Sequence, residues 1–151
     1  MSIEELQSAV AQLPAEELDR FSRWFEEFLA EQWDRQIEAD ILAGRLDAAG
    51  RRADEEAEAG RCTPLSVNHF ATPDFWFHYR RLPPETRELA DRCFAMLQAD
   101  PRHPSLRLKR VGAFWSARVG LRIRALARDR PEGLVWFWIG PHDRYEELIA
   151  R

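Results

Sequence analysis

The chain has 151 residues, 45% of them hydrophobic and 32% charged, with a formal net charge of −4. That composition supports a packed core and argues against wholesale disorder, and no apolar run approaches the roughly 20 residues a membrane-spanning helix needs. Cys62 and Cys93 stand apart, without a CxxC or a His cluster at ligand spacing, so they read as reduced thiols with no metal site.

The small net charge hides two unlike parts. Residues 1–65 carry 16 Asp/Glu and 7 Lys/Arg, whereas residues 66–151 carry 10 and 15. An acidic piece joined to a basic one implies a partner of matching sign, and each part suits the other. The expected division is an acidic helical segment, 1–65, and a folded domain, 66–151.

In the acidic part, Ser2 and Glu5 make an S-x-x-E capping box ahead of Ile3, Leu6, Val10 and Leu13 at helical spacing. Leu13-Pro14 breaks this helix, and Pro14 with Glu16 and Glu17 opens a second one that runs to about Ala43 and ends at Gly44. Leu18, Phe21, Phe25 and Phe28 share one stripe, continued by Leu29, Trp33, Ile37 and Ile41 at four-residue steps. Two helices cannot cover so many large side chains, so Phe21, Trp24, Phe25, Phe28, Trp33, Ile37 and Ile41 are expected to dock on an outside surface. Either the basic domain or a second copy in a dimeric hairpin fits that role. Residues 45–61 hold a single large apolar side chain, Leu46, and read as a weak helix or an extended strap; residues 60–66 read as a linker.

The basic part reads as α+β. A short strand over 67–71 precedes a helix capped by Thr72 with Pro73 at its first position. Leu82-Pro83-Pro84 separates it from a second helix over 85–99, making a helical hairpin. Beyond His103-Pro104 the period switches to two. Strands over 106–111, 114–119 and 122–128 form a meander, and the continuously apolar run 134–139 reads as a central strand covered on both faces. Gly140-Pro141 ends it, and 142–149 is a terminal helix.

The alternation gathers cations. With Leu106, Leu108, Leu121, Ile123 and Ala125 inward, Arg107, Lys109, Arg122, Arg124 and Arg128 point to the other face. Guanidinium forks bind phosphate bidentately, so this face suits a ribose-phosphate backbone, although a charged face also serves plain solvation. His142, at a sheet end, and Tyr145, one turn later, supply groups able to move protons in 2′-hydroxyl attack on a phosphodiester. His69, His78 and His103 sit beside none of these strands.

Residues 69–151, through HFATPDFWFHYRRLPPE, ADPRHPSLRLKRVGAFWSARVGLRIRALA and LVWFWIGPHDRYEELI, resemble toxins of the RelE/ParE superfamily of bacterial toxin–antitoxin systems. Residues 1–65, through WFEEF, WDRQIEADI and the closing AGRCTPL, are similar to the short acidic antitoxins that accompany them. The resemblance implies a helical hairpin on a small antiparallel sheet and a cytoplasmic toxin–antitoxin module in one chain, without cofactor or operator DNA. It further implies an endoribonuclease acting on mRNA at the ribosome. By position, Lys109, Arg118, Arg124, His142 and Tyr145 become the catalytic candidates, with Arg124 stabilising the phosphate and His142 moving the proton; Arg107, Arg110, Arg122 and Arg128 become RNA contacts. HPSLRLK lacks the acid some members carry before the second strand. Relatives of the ParE branch poison DNA gyrase instead, and that alternative stays open. The acidic strap Asp54-Glu55-Glu56-Glu58 is expected near the arginines, in cis or by swapping within a dimer.

Overall fold

The computed structural model describes residues 1–150. Helix α1 (Ile3–Ala11) begins at Ser2, whose hydroxyl accepts from the Glu5 N–H at 3.1 Å. Helix α2 (Ala15–Leu42) follows Pro14 and closes at Gly44, where φ is +81°. There Arg45 N–H donates to the Asp40 carbonyl and Gly44 N–H to that of Ile41, so the freed carbonyls find partners in a left-handed turn that glycine adopts without penalty.

Of the two readings of residues 45–61, the helix holds and the extended strap does not. These residues form helix α3 (Asp47–Glu58), whose buried face is Ala49, Gly50 and Ala53, with Leu46 buried at its entry. Small residues give little hydrophobic signal, yet they let the helix lie close to the sheet.

The expected linker is also ordered. Thr63–Ser66 is strand β1, paired antiparallel with β2 (His69–Ala71), so Val67 and Asn68 form the turn and the strand expected over 67–71 starts at His69. Helices α4 (Pro73–Arg80) and α5 (Pro84–Ala99) make the expected hairpin, with the Thr72 hydroxyl accepting from Phe75 N–H at 3.1 Å. Leu106 is not in a strand. Pro104–Leu106 is a single 3-10 turn fixed by Pro104, Arg107 takes φ of +43°, and β3 is only Lys109–Val111. Strands β4 (Phe114–Val119), β5 (Ile123–Arg130), β6 (Gly133–Pro141) and helix α6 (His142–Ile149) complete the chain. Asp129 and Arg130, beyond the strand end expected at 128, extend β5, while Arg122, expected to open that strand, lies in the turn before it.

The protein is α+β. Its six-stranded sheet has the order β1-β2-β6-β5-β4-β3, antiparallel except for the β2–β6 pair. Helices α4 and α5 cover one face, packing Leu82, Ala90 and Leu97 on Ala117, Val119, Ala125, Ala127, Trp136 and Ile139. Helices α2, α3 and α6 cover the other, packing Trp33, Ile37, Ile41, Leu46, Tyr145 and Leu148 on Val111, Phe114, Leu126, Val135, Phe137 and Trp138. The β5–β6 register slips where Leu126 pairs with Trp138 and Ala127 with Trp136, so Phe137 is the extra residue. That bulge turns both Phe137 and Trp138 toward α2, where strict alternation would send one of them away.

A Cβ on Gly50 would lie 2.5 Å from Arg128 Nη1 and 2.8 Å from Phe114 Cζ. On an exposed helix, Gly→Ala stabilises by about 0.5–1 kcal/mol. Here Gly50→Ala should instead destabilise by about 1–3 kcal/mol through overpacking, read as a lower urea midpoint; a raised midpoint would contradict the close seating of α3.

Candidate functional site

One stretch of α2, residues 27–40, reaches every catalytic candidate. Its register explains how. Ala30, Trp33, Ile37 and Ile41 form the buried face, and the polar groups bordering that face point at the sheet instead of at water. Asp34 lies at the centre. Its Oδ1 accepts from Arg124 Nε at 2.6 Å and its Oδ2 from Arg118 Nε at 2.8 Å, with Arg118 Nη2 also 2.8 Å away. One carboxylate therefore bridges guanidiniums from two adjacent strands, which pair directly at Arg118 and Arg124.

Arg124 is fully buried. Its Nη2 donates to the Ala30 carbonyl at 3.0 Å, and its Nη1 donates to the carbonyls of Gly120, Leu121 and Ile123. The guanidinium stacks 4.7 Å from the Trp33 ring centre. Burial pulls its proton affinity below the ordinary arginine value, and the Asp34 carboxylate opposes that pull. Arg118 takes a second acid, donating to Glu27 Oε1 at 2.9 Å.

The flanking cations follow the same rule. Arg107 lies 3.4 Å from Glu27, Lys109 Nζ 2.6 Å from Glu38, and Arg122 2.8 Å from Glu26, all on α2. Arg128 and Arg130 belong to a second clamp, both donating to Asp54 of α3, with Arg128 also stacked 4.8 Å from Phe114. Of the acidic run, Asp54 meets the arginines directly and Glu58 lies 3.7 Å from Arg130, whereas Glu56 pairs with Arg61 instead. Arg110 stands apart, held by Asp129 at 3.1 Å on its own sheet.

His142 Nε2 is 2.7 Å from Oε1 of Gln36, and its ring lies edge-on to Trp33 at 5.1 Å. Tyr145 does not open onto a cleft. It is fully buried, with its hydroxyl donating to Asp40 Oδ2 at 2.7 Å and its ring 6.0 Å from Trp33. Burial, then the bond to Asp40, pushes the phenol well above its ordinary value, so it remains a neutral donor. The indole of Trp33 thus touches Arg124, His142 and Tyr145 together.

The expected docking surface needs one correction. Trp33, Ile37 and Ile41 pack on the domain, but Trp24, Phe25 and Phe28 are exposed and Phe21 only half-covered. The physical reason is helical phase: these four side chains emerge roughly opposite the buried face.

No protein-family model matches the chain, and no curated protein matches it. Among solved structures, a YoeB/ParE toxin from Agrobacterium tumefaciens is similar over 50% of this chain and 98% of its own length, at 15% identity and a TM-score of 0.40. No helix among the described residues is long and apolar enough to cross a membrane.

Sequence reading missed Glu27, Asp34, Gln36 and Asp40. The available signal was their position beside Trp33, Ile37 and Ile41, since acids bordering a buried stripe need cationic partners.

Asp34→Asn keeps the shape but leaves the buried Arg124 without a carboxylate partner and Arg118 with Glu27 alone. It should cost about 3 kcal/mol, read as a lower urea midpoint; an unchanged midpoint would mean that the bridge contributes nothing. Asp54 gives a pH signature. Burial alone would raise its carboxyl, but hydrogen bonds and charge from Arg128 and Arg130 hold it below 3.8. A depressed folded-state value means its contribution is complete above about pH 4 and disappears as pH falls through that lower value. Asp54→Asn should therefore flatten the loss of stability between about pH 5 and pH 2; an unaltered acid limb would contradict the assignment.

Proposed function

We propose that the chain is a self-inhibited toxin–antitoxin module: a basic RNA-cleaving domain whose phosphate-binding face is sealed by its own acidic helix. The observation that carries the reading is the Asp34 bridge. A carboxylate shared by Arg118 and Arg124 has the charge and the two-oxygen geometry of a non-bridging phosphate pair, so the helix supplies what a ribose-phosphate backbone would supply. The neighbouring Trp33 stacks on Arg124 as a nucleobase would, and Gln36 occupies the imidazole of His142.

With the helix withdrawn, the arrangement has the parts of a metal-independent phosphodiester cleavage. Arg118 and Arg124 neutralise charge developing on the pentavalent phosphate. His142, near the sheet end, takes the proton of the attacking 2′-hydroxyl and delivers it to the leaving 5′-oxygen, so that the 2′-oxygen–phosphorus bond replaces the phosphorus–5′-oxygen bond and a 2′,3′-cyclic phosphate and a 5′-hydroxyl form. Tyr145 acts from within the core as a positioning residue, its ring holding the His142 side and its hydroxyl fixed to Asp40. Lys109, Arg107 and Arg122 extend the cationic track for flanking phosphates, and charge attraction makes binding salt-sensitive. The messenger RNA and ribosome implied by the family resemblance are the partners assigned to this face, in the cytoplasm.

The test opens the plug in the full chain. Trp33→Ala with Asp34→Ala removes the stacked indole and the bridging carboxylate, and should arrest growth of the host cell and cleave mRNA in a ribosome-containing extract. Adding His142→Ala should restore both growth and intact RNA. DNA breaks with whole RNA would transfer the reading to the gyrase-poison branch, and normal growth with both nucleic acids intact would refute it. A truncated domain for the same purpose must begin before Thr63, because β1 belongs to the sheet.

A further inference from the structure

The first 29 residues contain no buried side chain, the first buried residue being Ala30. Yet this acidic protrusion carries a coherent apolar surface. The rings of Phe21, Trp24, Phe25 and Phe28 stack along α2 with centroids 5.3 to 6.4 Å apart. Trp24 is 57% and Phe25 42% exposed, and Leu18 and Leu29 are exposed beside them. Nothing among the described residues covers this surface.

Leu18, Phe21, Phe25 and Phe28 repeat at three, four and three residues, the spacing of a coiled-coil seam. At about 100° per residue, this seam lies roughly 150° around α2 from the Ala30–Trp33–Ile37–Ile41 face. One helix can therefore hold its own domain on one side and a partner on the other.

We propose that the partner is a second copy of this chain, paired in parallel through the two α2 seams. Area supports a copy as occupant. The exposed parts of Leu18, Trp24, Phe25, Phe28 and Leu29 amount to on the order of 500 Å² per chain, so two copies together bury about 1,000 Å², the threshold of a specific interface. Flanking charge selects the direction. Parallel pairing sets Glu17 opposite Ser22 and Trp24 opposite Leu29 of the second copy, whereas antiparallel pairing sets Glu17 against Glu31 at both ends. The acidic surroundings, seven Asp/Glu and two Lys/Arg in residues 1–29, repel an anionic lipid surface. They also repel the second copy, so the seam is apolar in its driving force and its association strengthens as salt screens the rim. A basic peptide on the same face would show the reverse.

This dimer also has a consequence for the plug, because Glu26 and Glu27, which hold Arg122 and Arg118, lie within the seam between Phe25 and Phe28. Pairing makes the helix ahead of them harder to fray.

Sedimentation of the full chain at tens of micromolar tests the proposal. It should give twice the chain mass, more completely at high salt, and Phe25→Glu should give a monomer with unchanged helical circular dichroism. With Cys62 and Cys93 replaced by Ser, Phe28→Cys should form a disulfide between copies on mild oxidation. A monomeric native chain, a Phe25→Glu dimer, or association that weakens with salt would overturn the proposal. A dimer that refuses the Phe28→Cys crosslink would overturn the parallel pairing.

Discussion

The structure depends on one shared carboxylate. Arg118 and Arg124 face each other across β4 and β5, and two guanidiniums that close, both buried, are tolerable only with an anion between them. Asp34 is that anion, and it comes from α2, not from the sheet. Everything else on the helix-covered face follows: Ala30 offers its carbonyl to the same arginine, Trp33 stacks on it, and Glu27 completes Arg118.

The charges and the apolar contacts do different jobs. Removing a buried ion pair from water costs about as much as its attraction returns, so the bridge adds little net affinity. Trp33, Ile37, Ile41 and Leu46, each worth about 1.5–3 kcal/mol when fully buried, hold the helix down. The bridge instead sets register. Sliding α2 by one turn in one direction would put Ala30 in the place of Asp34 and leave Arg124 facing no acid, and in the other would bring the longer Glu38 there and move Asp34 to the buried place of Ala30. A second clamp at Asp54, set by the close approach at Gly50, fixes α3 over the far end of β5. The cationic surface is thereby sealed along its length by two helices joined at Gly44.

Much of this could be read from the sequence because local chemistry agrees with the fold. Pro14, Gly44, Thr72-Pro73 and Pro83-Pro84 mark helix ends by backbone geometry alone, and the alternation in 114–119 and 123–128 sorts arginines from small apolar residues. What stayed hidden depends on tertiary contact. α3 buries Ala49, Gly50 and Ala53, which hydrophobic periodicity barely registers. Thr63–Ser66 becomes a strand only because His69–Ala71 stands ready to pair with it. The bulge at Phe137 has no local signature. Aromatic content disclosed that α2 needs partners, but only the helical phase told which rings meet the domain and which do not. For the site, residue type identified Arg118, Arg124 and His142 as a group, whereas the burial of Tyr145 and the bridging role of Asp34 required knowing what covers them.

The account's central claim is that the helix occupies a phosphate site. The most direct measurement is the affinity of a 2′-O-methyl RNA oligonucleotide, which cannot be cleaved by 2′-hydroxyl attack, for the native chain and for the chain lacking the Trp33 and Asp34 side chains. The account predicts negligible binding by the native chain and salt-dependent binding by the altered one, lost again when Arg118 and Arg124 are neutralised. Equal affinity in both, or binding indifferent to those two arginines, would contradict it.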